Sequence, residues 1–248
     1  MIRRLLKVAG LLLLALVVLV GVEILLAFRR EYLPTDPPLE LGGTFGPSDG
    51  RPLRFVVLGD STAAGLGTDA AHAYATVLSE RLARATDRRV ELTVLGVSGA
   101  RVQDVARTQA PAAAELAPDL VFIGIGANDV THLTPLGSVE DDMTRALDEL
   151  SGTGADIVVA GAPDMRVLAW YEPLRSLSYL RGKQVTGAIE SAARAAGVAV
   201  VELAEETGQF FAAEPETHHS EDDFHPSAVG YARWADAIFP VLLETLDE

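Results

Sequence analysis

The sequence contains no cysteine. That single absence removes thiol nucleophiles, disulfides and thiolate metal sites together. It leaves the redox compartment open, because an exported protein can do without disulfides. Basic side chains are also scarce: 20 Lys and Arg stand against 35 Asp and Glu, a formal net charge of −15. Binding to nucleic acid needs a basic surface, so the balance argues against that partner. It argues equally against charge-driven docking of the globular part on anionic lipid. Hydrophobic residues, by contrast, make up 49% of the chain. That leaves disorder only to short connecting stretches.

The apolar residues are concentrated first at the N-terminus. Arg3, Arg4 and Lys7 precede a stretch from Val8 to Phe28 broken only by Glu23, Gly10 and Gly21. A helix of that length spans about 31 Å, close to the hydrocarbon thickness of a bilayer. A cleaved signal peptide has a shorter apolar run followed by a small-x-small site. The following Leu25-Leu26-Ala27-Phe28-Arg29-Arg30 offers no such site. Residues 1–28 are therefore expected to be an uncleaved single-pass anchor in the cell membrane, with secretion after cleavage as the alternative. Basic residues flank both ends, with a small excess before the segment, which places the remainder outside the cytoplasm. Glu23, near the far end, reads as an interfacial residue without function. Residues 29–52 carry Pro34, Pro37, Pro38 and Pro47 with several glycines and no periodicity, the composition of a tether.

From Leu53 onward the pattern alternates. Short apolar runs at Arg54 to Gly59, Val90 to Leu95, Asp119 to Gly126, Asp156 to Gly161 and Val198 to Glu202 read as buried parallel strands. Between and after them, Ala70 to Thr86, Arg101 to Ala114, Ser138 to Leu150, Ser176 to Ala196 and Ser227 to Leu246 carry helical signals, the last with Pro226 ahead of it. The expected fold is α/β: a five-stranded parallel sheet between helical layers over residues 53–248, preceded by one transmembrane helix. Ligands in such sheets gather at the carboxyl ends of the strands.

Four stretches lie at strand ends or helix starts and carry reactive chemistry. Gly59-Asp60-Ser61-Thr62-Ala63-Ala64-Gly65 places a serine at the sheet edge, beside an expected helix start whose amides favour negative charge. Ser98-Gly99 offers an unobstructed backbone amide after the second strand. Gly126-Ala127-Asn128-Asp129 supplies a neutral side-chain amide, a donor to an oxyanion that does not itself titrate. Asp222-Asp223-Phe224-His225-Pro226 sets a carboxylate three residues before a histidine, where it can hold one ring nitrogen and leave the other free as base. Because Glu221 and Asp223 flank Asp222, spacing alone selects it. His218, His219, Asp222, Asp223 and His225 invite a metal reading, but adjacent histidines rarely reach one ion, so no metal is assigned.

Taken in order, the blocks resemble the SGNH/GDSL hydrolases, of a membrane-anchored bacterial type, in which Ser, Gly, Asn and His come from separate stretches. The resemblance covers Arg54 to the C-terminus. It implies a flavodoxin-like three-layer α/β/α domain that hydrolyses carboxylic esters of lipid or acyl type without a cofactor. It also implies Ser61 as nucleophile, His225 as base and Asp222 as its carboxylate, with an oxyanion hole made by the Ser61 and Gly99 amides and the Asn128 side chain, Gly96 being the second candidate for the glycine. Two alternatives remain: a carbohydrate O-acetyl esterase acting on envelope glycan, and a non-catalytic binding module on the same fold. Pro163 to Tyr179, with Met165, Leu168, Trp170, Tyr171 and Leu174, is the expected pocket wall. Since every block lies beyond residue 52, the anchor is expected to confine the enzyme near its substrate without shaping the active site.

Overall fold

The computed structural model describes residues 1–167 and 169–247, apart from the side chains of Phe28 and Asp247. Leu168, one of the expected wall residues, lies outside the described residues.

Helix α1 (Ile2–Arg29) precedes the sheet, and its leucines and valines are exposed along most of its length. Residues Ile2–Ala27 are long and apolar enough to cross a membrane, a property that a signal sequence shares. The sheet follows the expected alternation. Strands β2 (Pro52–Gly59), β3 (Arg89–Val94), β4 (Leu120–Gly124), β5 (Asp156–Ala160) and β6 (Ala199–Val201) run parallel in the order β3-β2-β4-β5-β6. The sheet nevertheless has six strands rather than five. Gly42–Phe45, within the stretch read as tether, forms β1 and pairs antiparallel with β3, Thr44 facing Glu91. Four residues with two glycines show no alternation in sequence, yet the open edge of β3 supplies the partners for their backbone groups.

Strand periodicity divides the core into two halves. On β2, Leu53, Phe55 and Val57 face one side while Val56 and Leu58 face the other, and on β4 Leu120 and Phe122 alternate with Val121 and Ile123. The first set packs against α2 (Tyr74–Thr86) and α10 (Ala228–Asp247) through Leu78, Leu82, Tyr231 and Trp234. The second packs against α6 (Leu136–Ser151) and α7 (Leu174–Ala195) through Met143, Leu147, Val185 and Ile189. Both faces are therefore covered, which is why β4 and β5 at the centre read as nearly continuous apolar runs.

Some local expectations need correction. The stretch expected as one helix from Arg101 is α3 (Val102–Asp104), a π-helical turn at Val105–Gln109, and α4 (Ala110–Glu115). Helix α2 starts at Tyr74 rather than Ala70, so Ser61 lies in a run of turns instead of beside a helix start. A short α5 (Ala127–Thr131), α8 (Leu203–Ala213) and α9 (Pro215–His218) complete the chain.

In this strand order, β2 is flanked by β3 on one side and β4 on the other. The crevice at the carboxyl ends of these strands is where the connections diverge. Ser61, Gly99 and Asn128 each follow one of the three.

Candidate active site

The serine turn is built by short-range bonds. Asp60 accepts from the Thr62 amide at 2.9 Å and from its hydroxyl at 2.8 Å, and the Leu66 amide donates to the Ser61 carbonyl at 2.9 Å. Gly59, just before it, has φ +151°, and a Cβ there would lie 2.2 Å from the Gly124 carbonyl oxygen. Only glycine lets β2 and β4 approach so closely at this point.

Gln109 was not singled out from sequence. Its buried side chain receives the Gly59 amide at 2.8 Å and donates to the Gly59 carbonyl at 2.8 Å. The π-helical turn aims this amide at the residue two before Ser61. A glutamine inside an apparently regular helix carries no sequence signal for that role. From the opposite layer, Tyr231 on α10 donates to the Leu66 carbonyl at 2.6 Å and ties down the other end of the turn.

His225 approaches from the loop before α10. Its Nε2 lies 3.0 Å from Ser61 Oγ, and its Nδ1 lies 2.6 Å from Asp222 Oδ2. All three residues are buried. Asp223 between them has φ +58°, a left-handed turn that acidic side chains tolerate, and this folds Asp222 back beneath the ring. Asp222 Oδ1 also accepts from the His225 amide, the Phe224 amide and the Ser220 hydroxyl, each at 2.9 Å. Burial alone would raise the Asp222 carboxyl. The hydrogen bonds from the His225 ring and amide, the histidine's charge and the Phe224 amide outweigh it and hold the group well below the usual carboxylate range. Of the three neighbouring acids, Asp222 is the one within hydrogen-bond distance of the His225 ring.

The other two blocks meet beside this pair. The Asn128 side-chain amide donates to the Ala100 carbonyl at 3.0 Å, with its second N–H left over. Asp129, fully buried, accepts from the Val102 amide at 3.0 Å, and burial pushes its carboxyl up. Asp60 is likewise raised by burial, against the Thr62 bonds that lower it. Gly99 adjoins Ala100 with φ +83° and open space where a Cβ would stand, so backbone conformation rather than crowding calls for glycine there. Ser61, Asn128, Met165, Val167, Phe224 and His225 line one cavity of about 40 Å³. Gly99 is not in that lining. Its neighbour Ser98 instead borders a wider cleft of about 530 Å³, walled on the far side by Leu33, Pro37 and Leu39.

Of the expected wall, Met165 lines the small cavity, Trp170 is buried and Tyr171 is exposed. Of the histidines in the metal reading, His218 Nδ1 lies 2.9 Å from the Glu214 carbonyl and His219 Nδ1 2.9 Å from that of Pro215. Among the described residues, no group of three His, Asp or Glu side chains is placed to share an ion.

The segment following α1 also reaches this loop, which the sequence did not foretell. Arg30 pairs with Asp223, and the Leu33 amide donates to Asp222 Oδ2 at 3.3 Å. Tyr32 stacks edge-on against Phe224, ring centres 5.2 Å apart, and its hydroxyl accepts from Trp170 Nε1 at 3.3 Å. Glu23, read as idle, is buried and accepts from the Leu174 amide at 2.9 Å, one of the free donors at the start of α7.

A hydroxyl, an imidazole and a carboxylate joined in this order make a serine nucleophilic on several unrelated folds. Fold and site together define a three-layer α/β/α protein with a serine, a histidine and a carboxylate in line at the carboxyl edge of its sheet. The chain belongs to the GDSL-like lipase/acylhydrolase family, whose model matches residues 57–233. It is 36% identical over 199 residues to a GDSL-like esterase of Mycobacterium tuberculosis, a match covering 79% of this chain and 63% of that relative's length. An α/β-hydrolase enzyme from the metagenome of Lake Arreo, Spain, superposes with a TM-score of 0.64 at 22% identity, over 79% of this chain and 97% of the other. An acetyl xylan esterase of Geobacillus stearothermophilus gives 0.61 at 19% identity, over 79% and 95%. At these identities the two structures bear on the fold alone.

Proposed function

We propose that the chain is a membrane-anchored serine ester hydrolase acting on a lipid or acyl ester. One observation carries the reading: the unbroken bonded path from Ser61 Oγ through His225 to Asp222, at 3.0 and 2.6 Å. Ser61 Oγ attacks the ester carbonyl carbon while its proton passes to His225 Nε2. Asp222 holds Nδ1–H and stabilises the imidazolium. The Ser61 and Gly99 amides and the spare Asn128 N–H hold the oxyanion, and loss of one such donor typically costs about 2.7–4 kcal/mol of barrier. Collapse of the adduct breaks the ester C–O bond, and the departing alkoxide takes the proton from His225. Water then repeats the sequence, releasing the acid and restoring Ser61. No cofactor takes part in these steps.

Residues 1–28 are the anchor, residues 29–52 the connection, and residues 53–248 the hydrolase domain, to whose sheet Gly42–Phe45 adds an edge. Positive charge before the span supports placing the domain outside the cytoplasm.

A second reading, a carbohydrate O-acetyl esterase, draws support from the size of the small cavity. A water needs about 10–15 Å³ of such space, so 40 Å³ holds roughly three water-sized groups. A short acyl group would fit there, with a bulky alcohol in the wider cleft.

Two measurements test the proposal. A fluorophosphonate probe should label the wild type and not Ser61→Ala, and a binding module would take no label at all. Rates on p-nitrophenyl esters from acetate to palmitate, with an acetylated glycan alongside, should separate the two substrate readings. Substantial hydrolysis by Ser61→Ala would end the proposal.

A further inference from the structure

Four contacts from residues 30–33 fall on the two loops that enclose the reacting groups. The Leu33 amide bonds the same carboxylate oxygen, Asp222 Oδ2, that holds the His225 ring. Arg30 pairs with Asp223, the left-handed residue that folds Asp222 back. The Tyr32 ring packs on Phe224, which in turn stands edge-on to His225 with centres 5.0 Å apart. The Tyr32 hydroxyl accepts from Trp170, whose ring also packs on Phe224 at 5.5 Å. Tyr32 and Leu33 thus engage Trp170, Asp222 and Phe224, while Arg30 fixes the residue between the last two. None of these links is strong alone: Arg30 and Asp223 are both part-exposed, and such pairs contribute at most about 1 kcal/mol. Their convergence is what counts, because the loop they grip sets the position of an imidazole that must stay within reach of Ser61 Oγ.

We infer that Arg30, Tyr32 and Leu33 are positioning residues for the hydrolytic centre, so that the segment joining anchor to domain forms a working part of the active site. The inference departs from the expectation that the segment before residue 53 leaves the site unshaped. The inference rests on Ser61, His225 and Asp222 being the reacting groups. The strap touches neither Ser61 nor the small cavity, so it acts on turnover through the His225 loop and not on binding of a small ester.

The test uses the full-length protein in detergent micelles, with p-nitrophenyl acetate as substrate and thermal unfolding as the check on folding. For the double variant Arg30→Gln/Tyr32→Ala, kcat should fall roughly ten- to a hundredfold while KM stays within about twofold. The phosphonylation rate of Ser61 should fall in parallel, since it reads nucleophile activation without substrate selection. The conservative pair Arg30→Lys/Tyr32→Phe keeps the charge and the ring and should recover most of kcat. Should the first double variant fail to fold, Arg30→Gln alone decides, because a part-exposed ion pair can be removed without loss of the core. An unchanged kcat and phosphonylation rate in a folded variant, with Ser61→Ala inactive, would overturn the inference. Activity surviving in Ser61→Ala would instead overturn the functional reading beneath it.

Discussion

Asp222 accepts more hydrogen bonds than one histidine requires. Its two oxygens take the His225 ring, three donors from its own loop and one amide from the segment after α1. Asp222→Asn keeps the shape but offers the ring an N–H in place of an acceptor, so the tautomer is lost. Turnover of p-nitrophenyl acetate should drop by about three to four orders of magnitude. Asp223→Asn should cost far less, because Asn also tolerates φ +58° and still offers Arg30 an oxygen. The reverse ranking would move the carboxylate role by one residue. The depressed Asp222 carboxyl also makes a statement about stability. A carboxylate held below its unfolded value stabilises the fold above that value, and the contribution disappears as pH falls through the folded one. The gap in denaturation midpoint between wild type and Asp222→Asn should therefore be open at neutral pH and narrow steadily below about pH 4.

Elements matter here where they depart from regularity. The π-helical turn exists in the structure as the means by which Gln109 reaches both polar groups of Gly59. Gln109→Leu would strip the buried Gly59 amide of its acceptor, while the Gly59 carbonyl keeps the Val97 amide at 3.1 Å; the change should cost about 1–3 kcal/mol in chemical denaturation and slow turnover as the serine turn loosens. An unchanged midpoint would show that the ladder alone holds Gly59. Strand β1 covers the edge of β3 that would otherwise lie open. Gly43→Pro removes a donor and cannot adopt the native φ of +133°, so the edge should be exposed and light scattering on heating should rise. The contrast between elements shows what was legible. Strands β2, β4 and β5 could be read because most of their residues are buried on both faces and so apolar, and β3 because Val90 and Leu92 alternate with its polar residues. Ser61, Asn128, Asp222 and His225 could be read because each sits in a short motif at a strand or helix boundary. β1, Gln109 and the 30–33 contacts could not, because each depends on what lies opposite in space and not on any local pattern.

At the scale of the whole molecule, the proposed role of α1 as an anchor sets where the proposed hydrolase works. The full-length protein should sediment with membranes and resist carbonate extraction, and protease added outside should remove the domain once any outer barrier is open. A mature N-terminus beyond residue 25 would point to a released enzyme, and digestion only in inverted vesicles to a domain facing the cytoplasm. The link between span and sheet matters just as much. If free, the roughly dozen residues between α1 and β1 could extend about 40 Å. Instead they are fastened near one end at Arg30, Tyr32 and Leu33 and passed at the other into the sheet as β1. With α1 in a bilayer, such a link has little slack, and the centre stays at one height and turns only about the membrane normal. Encounters with a membrane-borne ester then happen by lateral diffusion within a plane. Turnover of such an ester should follow its mole fraction in the surface, falling when inert lipid is added and holding steady when only the volume of buffer grows.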